Sequence, residues 1–271
     1  MPESRMKLVV TGDDFGYCAR RNQGLVECFL SGGITTVSLL VNGSAAAQAA
    51  ELANRHSIPI GLHANLTEGA PVCPALLRSS LVDHRGHFHG KMASDTAWNF
   101  MDLQVDMELR AQVRRFSELT GHLPQHMDGH QHVHVLPGVR LVFAQVLSHF
   151  RIPFTRVPVE PGLHSCPWVP APLKTFYSQV ERDALDSIPG AVPRPGGGRP
   201  GERPLSAELM VHPGYPSLPR EGGCGDGPDD FSQSLDRQHE LGVLTDPALG
   251  HLYQRLGVRL CSFSDLTQSS T

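Results

Sequence analysis

No stretch of this 271-residue chain stays apolar for the ~18–20 residues that a membrane-spanning helix requires. Its opening residues, MPESRMKLVV, lack the charged, apolar and cleavage regions of a secretory leader, so a soluble, cytoplasmic protein is expected. There is no Cys-x-x-Cys pair. The six cysteines (Cys18, Cys28, Cys73, Cys166, Cys224 and Cys261) are scattered, which argues for reduced thiols and against a disulfide framework or a cysteine zinc site. Basic runs are also missing. With a formal net charge of −4 and no polybasic tail, nucleic acid and anionic membranes are poor partners. What the chain has in unusual supply is histidine, 15 residues of the commonest metal ligand and near-neutral acid or base.

Apolar runs alternate with segments of helical period. Strands are expected at 6–11, 34–41, 58–63, 124–129, 152–157, 207–212 and 258–263, several of them nearly continuous Val, Ile and Leu, as in strands buried on both faces. Helices are expected at 19–31, 44–56, 103–120 and 138–150, punctuated by Gly32-Gly33, Gly121 and Pro137-Gly138. This order predicts one α/β domain over 1–271: a mostly parallel sheet with outer helices, open or closed into a (β/α) barrel.

Polar residues then fall at the strand ends. Asp13 and Asp14 follow the first strand, Asn42 the second, His63 ends the third, and Asp128 and His130 close the fourth; His212 ends the sixth and Asp265 follows the seventh. In parallel α/β folds these ends share one face, where ligands converge. The densest stretch is HMDGHQHVHVLPG, 126–138, where His126, Asp128 and His130 would share a strand face until Gly129 turns the chain. Asp and His groups with an open position for water suit a hydrolytic divalent-metal site. Two adjacent carboxylates diverge on a regular strand, so one can ligate while the other takes a proton after a local turn.

These motifs resemble the YdjC-like carbohydrate deacetylases, relatives of the polysaccharide deacetylases. TGDDFG (11–16), LLVNG (39–43), GLHANL (61–66), HMDGHQHVH (126–134) and ELMVHPGY (208–215) occur in the family's order. The resemblance implies a barrel-like deacetylase fold and removal of acetyl groups from an N-acetylated sugar or oligosaccharide. It implies Asp14, His63 and His130 as metal ligands, Asp13 as the base and His212 as the general acid. Asp128 or Asp265 could orient an imidazole, and His132, His134 and Asn42 could line the substrate pocket or pack. One divalent ion is expected: magnesium by resemblance, zinc or similar by the chemistry of one carboxylate and two imidazoles. Phe15, Tyr17, Trp168 and Tyr215 could stack on a sugar or belong to the core. A homodimer is the candidate assembly.

The chain departs from the resemblance at PGAVPRPGGGRPGERP, 189–204, where relatives carry a further strand and helix. Ten of these sixteen residues are Pro or Gly, so a loop or linker and an incomplete barrel are expected there. A second long surface loop is expected at 216–230. Two other readings follow: a non-catalytic or shortened metal-binding protein, and a metal-dependent phosphoesterase. The latter usually opens with His-x-His, where this chain has Asp13-Asp14.

Overall fold

The computed structural model describes residues 6–90, 102–159, 162, 165, 167, 169–187, 205–225 and 227–267. The linker expected at 189–204 lies outside these residues. Six strands form one sheet in the order β4-β3-β2-β1-β5, with β6 paired to the start of β1. They are β1 (Met6–Phe15), β2 (Thr36–Leu39), β3 (Ile60–Ala64), β4 (Met127–Gly129), β5 (Leu205–Val211) and β6 (Val258–Leu260). Every pairing is parallel, so the strand ends face one way.

Helices cover the sheet where the apolar period places them. In α1 (Ala19–Leu30) Leu25, Val26 and Cys28 are buried, and the Cys18 sulfur caps the first turn. Gly32, at φ 81°, ends it in a conformation that suits glycine. In α2 (Ala46–His56) the buried face is Ala46, Ala49, Ala50 and Ala53. Four residues of α3 (Asp102–Thr120), Val105, Leu109, Val113 and Phe116, recur at helical spacing and are fully buried. Then come α4 (Arg140–Phe150), α5 (Ala171–Ser187), α6 (Asp230–Gln233), α7 (Asp236–Thr245), α8 (Pro247–Arg255) and α9 (Phe263–Thr267). No helix among the described residues is long and apolar enough to cross a membrane, and the five described cysteines are free thiols.

Several expectations change. The 152–157 segment is extended but forms no strand: Pro153 and Pro158 lack the donors a ladder needs, and the Phe154 carbonyl accepts a lone bond from Met127 N–H at 3.0 Å. Helix α5, which ends before the 189–204 stretch, was not signalled by the sequence. Residues 212–229 hold neither helix nor strand among those described, yet this loop is anchored: Gly223 donates to Tyr17 O, its carbonyl accepts from Ser44 N–H, and Cys224 is buried.

The sheet curls. Arg156, two residues after the Phe154 that bonds β4, reaches Glu208 on β5 at 2.9 Å, joining the two ends of the strand order. Val9, Cys261 and Phe263 close the region beneath, with Phe154 packed against them. The result is a half-barrel whose concave end collects the polar residues.

Two buried polar side chains of α3 brace that end. Glu108 accepts from Val72 N–H at 2.8 Å and Cys73 N–H at 2.9 Å. Gln112 exchanges bonds with the Asn65 backbone, accepting at 2.9 Å and donating at 2.6 Å. Together they hold the loop after β3. Glu108→Ala is expected to destabilise the protein by about 1–3 kcal/mol, because two partly buried N–H groups lose their acceptor. Urea unfolding measures it; a loss under about 0.5 kcal/mol would mean that other groups replace the carboxylate.

Candidate metal centre

At the end of β1 the strand geometry breaks. Asp14 has φ 62°, a left-handed conformation, and the register with β2 shifts between Gly12 and Phe15. Regular alternation would send Asp13 and Asp14 to opposite faces; the break lets both approach His63. His63 Nε2 lies 3.6 Å from Asp14 Oδ1 and 3.8 Å from Asp13 Oδ2. Parallel register also pairs His63 on β3 with Asp128 on β4, and the Asp128 carboxylate accepts from His63 Nδ1 at 2.7 Å and from Ser38 Oγ at 2.7 Å. Sequence reasoning gave Asp128 or Asp265 this orienting role. Asp128 has the geometry for it.

After Gly129 the chain turns through a short 3-10 segment, His130–Val135, in which Gln131 and His132 are also left-handed. This turn aims His130 back at the pair: Nδ1 lies 3.2 Å from Asp14 Oδ1 and 3.3 Å from His63 Nε2, and Nε2 lies 3.2 Å from Glu68 Oε2. Asp14 Oδ1 is buried without a well-aligned hydrogen-bond donor, although two ring nitrogens face it. Asp14, His63 and His130 thus present donor atoms within 4.8 Å of one another, a group able to hold a metal ion.

A second such group, Asp13, His63 and Asp128, already has a cation. The buried Arg156 guanidinium bonds both Asp13 oxygens, at 2.7 and 2.8 Å, and also reaches Asp128 at 2.8 Å and Glu208 at 2.9 Å. Thr11 donates to the same Glu208 carboxylate at 2.7 Å. Burial raises the Asp13 pKa to about 6, held from going higher by Arg156 and His63. Burial also works against ionised Asp14, but His130, His212 and His63 hold it well below the usual carboxylate range. For His130 burial opposes the charged ring, yet the Asp14 and Glu68 carboxylates beside it lift its pKa to about 10. The ring is therefore charged at neutral pH unless a metal replaces its proton.

With this geometry in place, comparisons with known proteins bear on it. The family model described as YdjC-like protein matches residues 7–255. This chain belongs to the YdjC-like family. Among its relatives, a carbohydrate deacetylase of Danio rerio is 51% identical, covering 98% of this chain and 100% of that protein. The alignment spans 312 positions, so that relative carries stretches this chain lacks. A carbohydrate deacetylase of Geobacillus stearothermophilus is 33% identical over 259 positions, covering 95% of this chain and 96% of that protein. A solved Enterococcus faecalis V583 structure, described as a cellobiose-phosphate cleavage protein, shares the fold with a TM-score of 0.68 at 21% identity, covering 98% of this chain and all of that one.

The remaining residues of this YdjC-like chain divide by register. Gly12 pairs with Val211, which sets His212 level with Asp13 at the site. His212 is half-buried, its imidazole stands edge-on to Phe231, and burial pushes its pKa down to about 3, against the pull of Asp14. Asp265 does not join. Because β6 pairs only with Met6–Leu8, its end stops short of Asp13, and the Asp265 carboxylate instead accepts from the Ser262 backbone N–H and hydroxyl. Asn42 spends its amide on the Glu68 and Ala70 carbonyls, outside the cluster.

The other histidines pack. His126 is buried under Gly61, where any Cβ would meet its ring at 2.3 Å, and stacks on Phe263 with ring centroids 4.2 Å apart. His134 Nε2 donates to the Arg156 carbonyl at 3.0 Å, holding the segment that carries the guanidinium, and burial lowers its pKa to about 4. His132 lies buried between His134 and Tyr177, outside the Asp14 group. Of the aromatics, Phe15 and Tyr17 are core residues, Tyr215 donates to Glu27, and Trp168 lies outside the described residues.

Sequence reasoning missed Arg156, Glu208 and Glu68, which hold Asp13, Asp128 and His130 in this YdjC-like site. Each left a trace: an arginine and a glutamate inside apolar runs, and a glutamate five positions after His63.

Proposed function

We propose that this chain is a metal-dependent hydrolase that removes acetyl groups from N-acetylated carbohydrates, the activity carried in the names of its carbohydrate deacetylase relatives. The observation that carries this reading is the Asp14, His63 and His130 group with Asp13 beside it, clamped by Arg156.

The donor set fits a cation. One carboxylate and two imidazoles suit a zinc-like ion better than magnesium, which prefers oxygen ligands. When bound, such an ion lowers the pKa of water and stabilises the oxyanion of amide hydrolysis. Asp13, held by two bonds from Arg156, would take the proton from the attacking water. Neutral in the resting site, His212 offers one N–H and one lone pair, and would act as the acid for the leaving amine after taking up a proton from solvent.

An acetate-release screen over N-acetylglucosamine oligomers, with and without added zinc, cobalt or magnesium, tests the proposal. Acetate release that stops on chelation and returns with zinc or cobalt is expected. Phosphate release with two bound metals would support the phosphoesterase reading instead, and bound metal without turnover on any oligomer would make the chain a non-catalytic member of its family.

A further inference from the structure

Both histidines of the candidate centre have a carboxylate behind them, but on opposite ring nitrogens. Ionised Asp128 can only accept, so its 2.7 Å bond places the hydrogen of His63 on Nδ1 and leaves the Nε2 lone pair facing Asp14. His130 is turned the other way: Nε2 faces Glu68 at 3.2 Å, and Nδ1 faces Asp14 and His63. A ligating imidazole needs its other nitrogen held by an acceptor, which fixes ring and tautomer.

Glu68 is built to stay where it is. Its N–H donates to Asn65 Oδ1 at 3.0 Å, and its carbonyl accepts from Asn65 Nδ2 at 2.9 Å and Asn42 Nδ2 at 3.1 Å. Asn65 is in turn held by Gln112 of α3. The LLVNG motif therefore has a physical role: Asn42 braces the backbone of the residue that faces His130. The Glu68 side chain is only 17% exposed, so its bond to His130 is partly shielded from water.

We propose that Glu68 is the positioning residue of His130, fixing the tautomer that presents Nδ1 to the metal while His63 presents Nε2. This inference rests on the metal reading above. Long-range ¹H–¹⁵N correlation of histidine-labelled, zinc-loaded protein should show the proton of His130 on Nε2 and that of His63 on Nδ1. Zinc affinity by chelator competition should fall about 10–100-fold in Glu68→Ala, as when such a supporting carboxylate is removed. In Glu68→Gln, whose amide carbonyl still accepts from Nε2–H, it should stay within a few-fold of the parent.

Should Glu68→Ala fail to fold, the spectrum of the parent protein and the affinity of Glu68→Gln decide. A parent protein that binds no zinc would remove the metal reading and this inference with it. Zinc-loaded parent protein with the His130 proton on Nδ1, or Glu68→Ala binding zinc as tightly as the parent, would overturn the role of Glu68 alone.

Discussion

Asp13→Asn should retain its metal and lose acetate release by about 10²–10⁴-fold, the usual worth of a positioned general base. Asparagine is nearly isosteric with aspartate but cannot accept the water's proton. One of its two terminal atoms becomes a donor facing Arg156, so a stability loss of about 1–3 kcal/mol should accompany the change. Unfolding of the variant has to be measured beside its kinetics, so that the rate refers to folded protein. Asp14→Ala should behave differently. It removes the carboxylate whose oxygen faces both ring nitrogens, so bound metal itself should be lost. Metal analysis of the two purified variants separates the roles; equal metal loss in both would sink the division of labour between the neighbours.

Arg156→Met should be the most destabilising single change at the site. The guanidinium is buried, and Asp13, Asp128 and Glu208 all depend on it. Removing one partner of a buried ionic network typically costs about 3–5 kcal/mol, because the charges left behind have neither water nor a counterion. Divalent metal should restore part of that loss in the variant. Without the guanidinium, the Asp13 and Asp128 oxygens it now bonds at 2.7 and 2.8 Å would be open to a cation. Chemical unfolding with and without zinc measures both effects. A loss under about 1 kcal/mol would mean that the carboxylates are protonated or find other partners in the folded state.

How far the sequence could be read depended on register. His63, Asp128 and His130 were legible because they lie at the ends of neighbouring parallel strands, and such ends share a face. His212 follows the same rule, since Val211 sits level with Gly12. Asp265 obeys it in sequence and breaks it in space: β6 engages only the first residues of β1. Nothing in an apolar run tells how far along its neighbour a strand will pair. Arg156 was hidden for another reason. It lies in an extended segment flanked by prolines, and its meaning comes from three carboxylates on three separate strands. Glu68 was obscured by its loop, which is ordered by side chains of β2's end and α3 rather than by any local repeat. Helices α7 and α8 gave weak signals because few of their residues are buried: Leu241 and Leu244 in the first, none in the second.

The left-handed backbone at Asp14 limits how the centre could be redesigned. Changing a metalloprotein's preference usually begins by exchanging one ligand for a softer or longer one, here cysteine, histidine or glutamate at position 14. That position must also hold φ near 62°, which short polar side chains such as Asp and Asn tolerate and most others resist by about 1–2 kcal/mol. A longer ligand would pay that penalty and carry its donor atom past the point where the two imidazoles meet. Softer variants are therefore better sought at His63, which lies on a regular parallel strand with Asp128 as its cross-strand neighbour. Selectivity among divalent ions could be altered there without disturbing the kink that brings two acids to one side of β1.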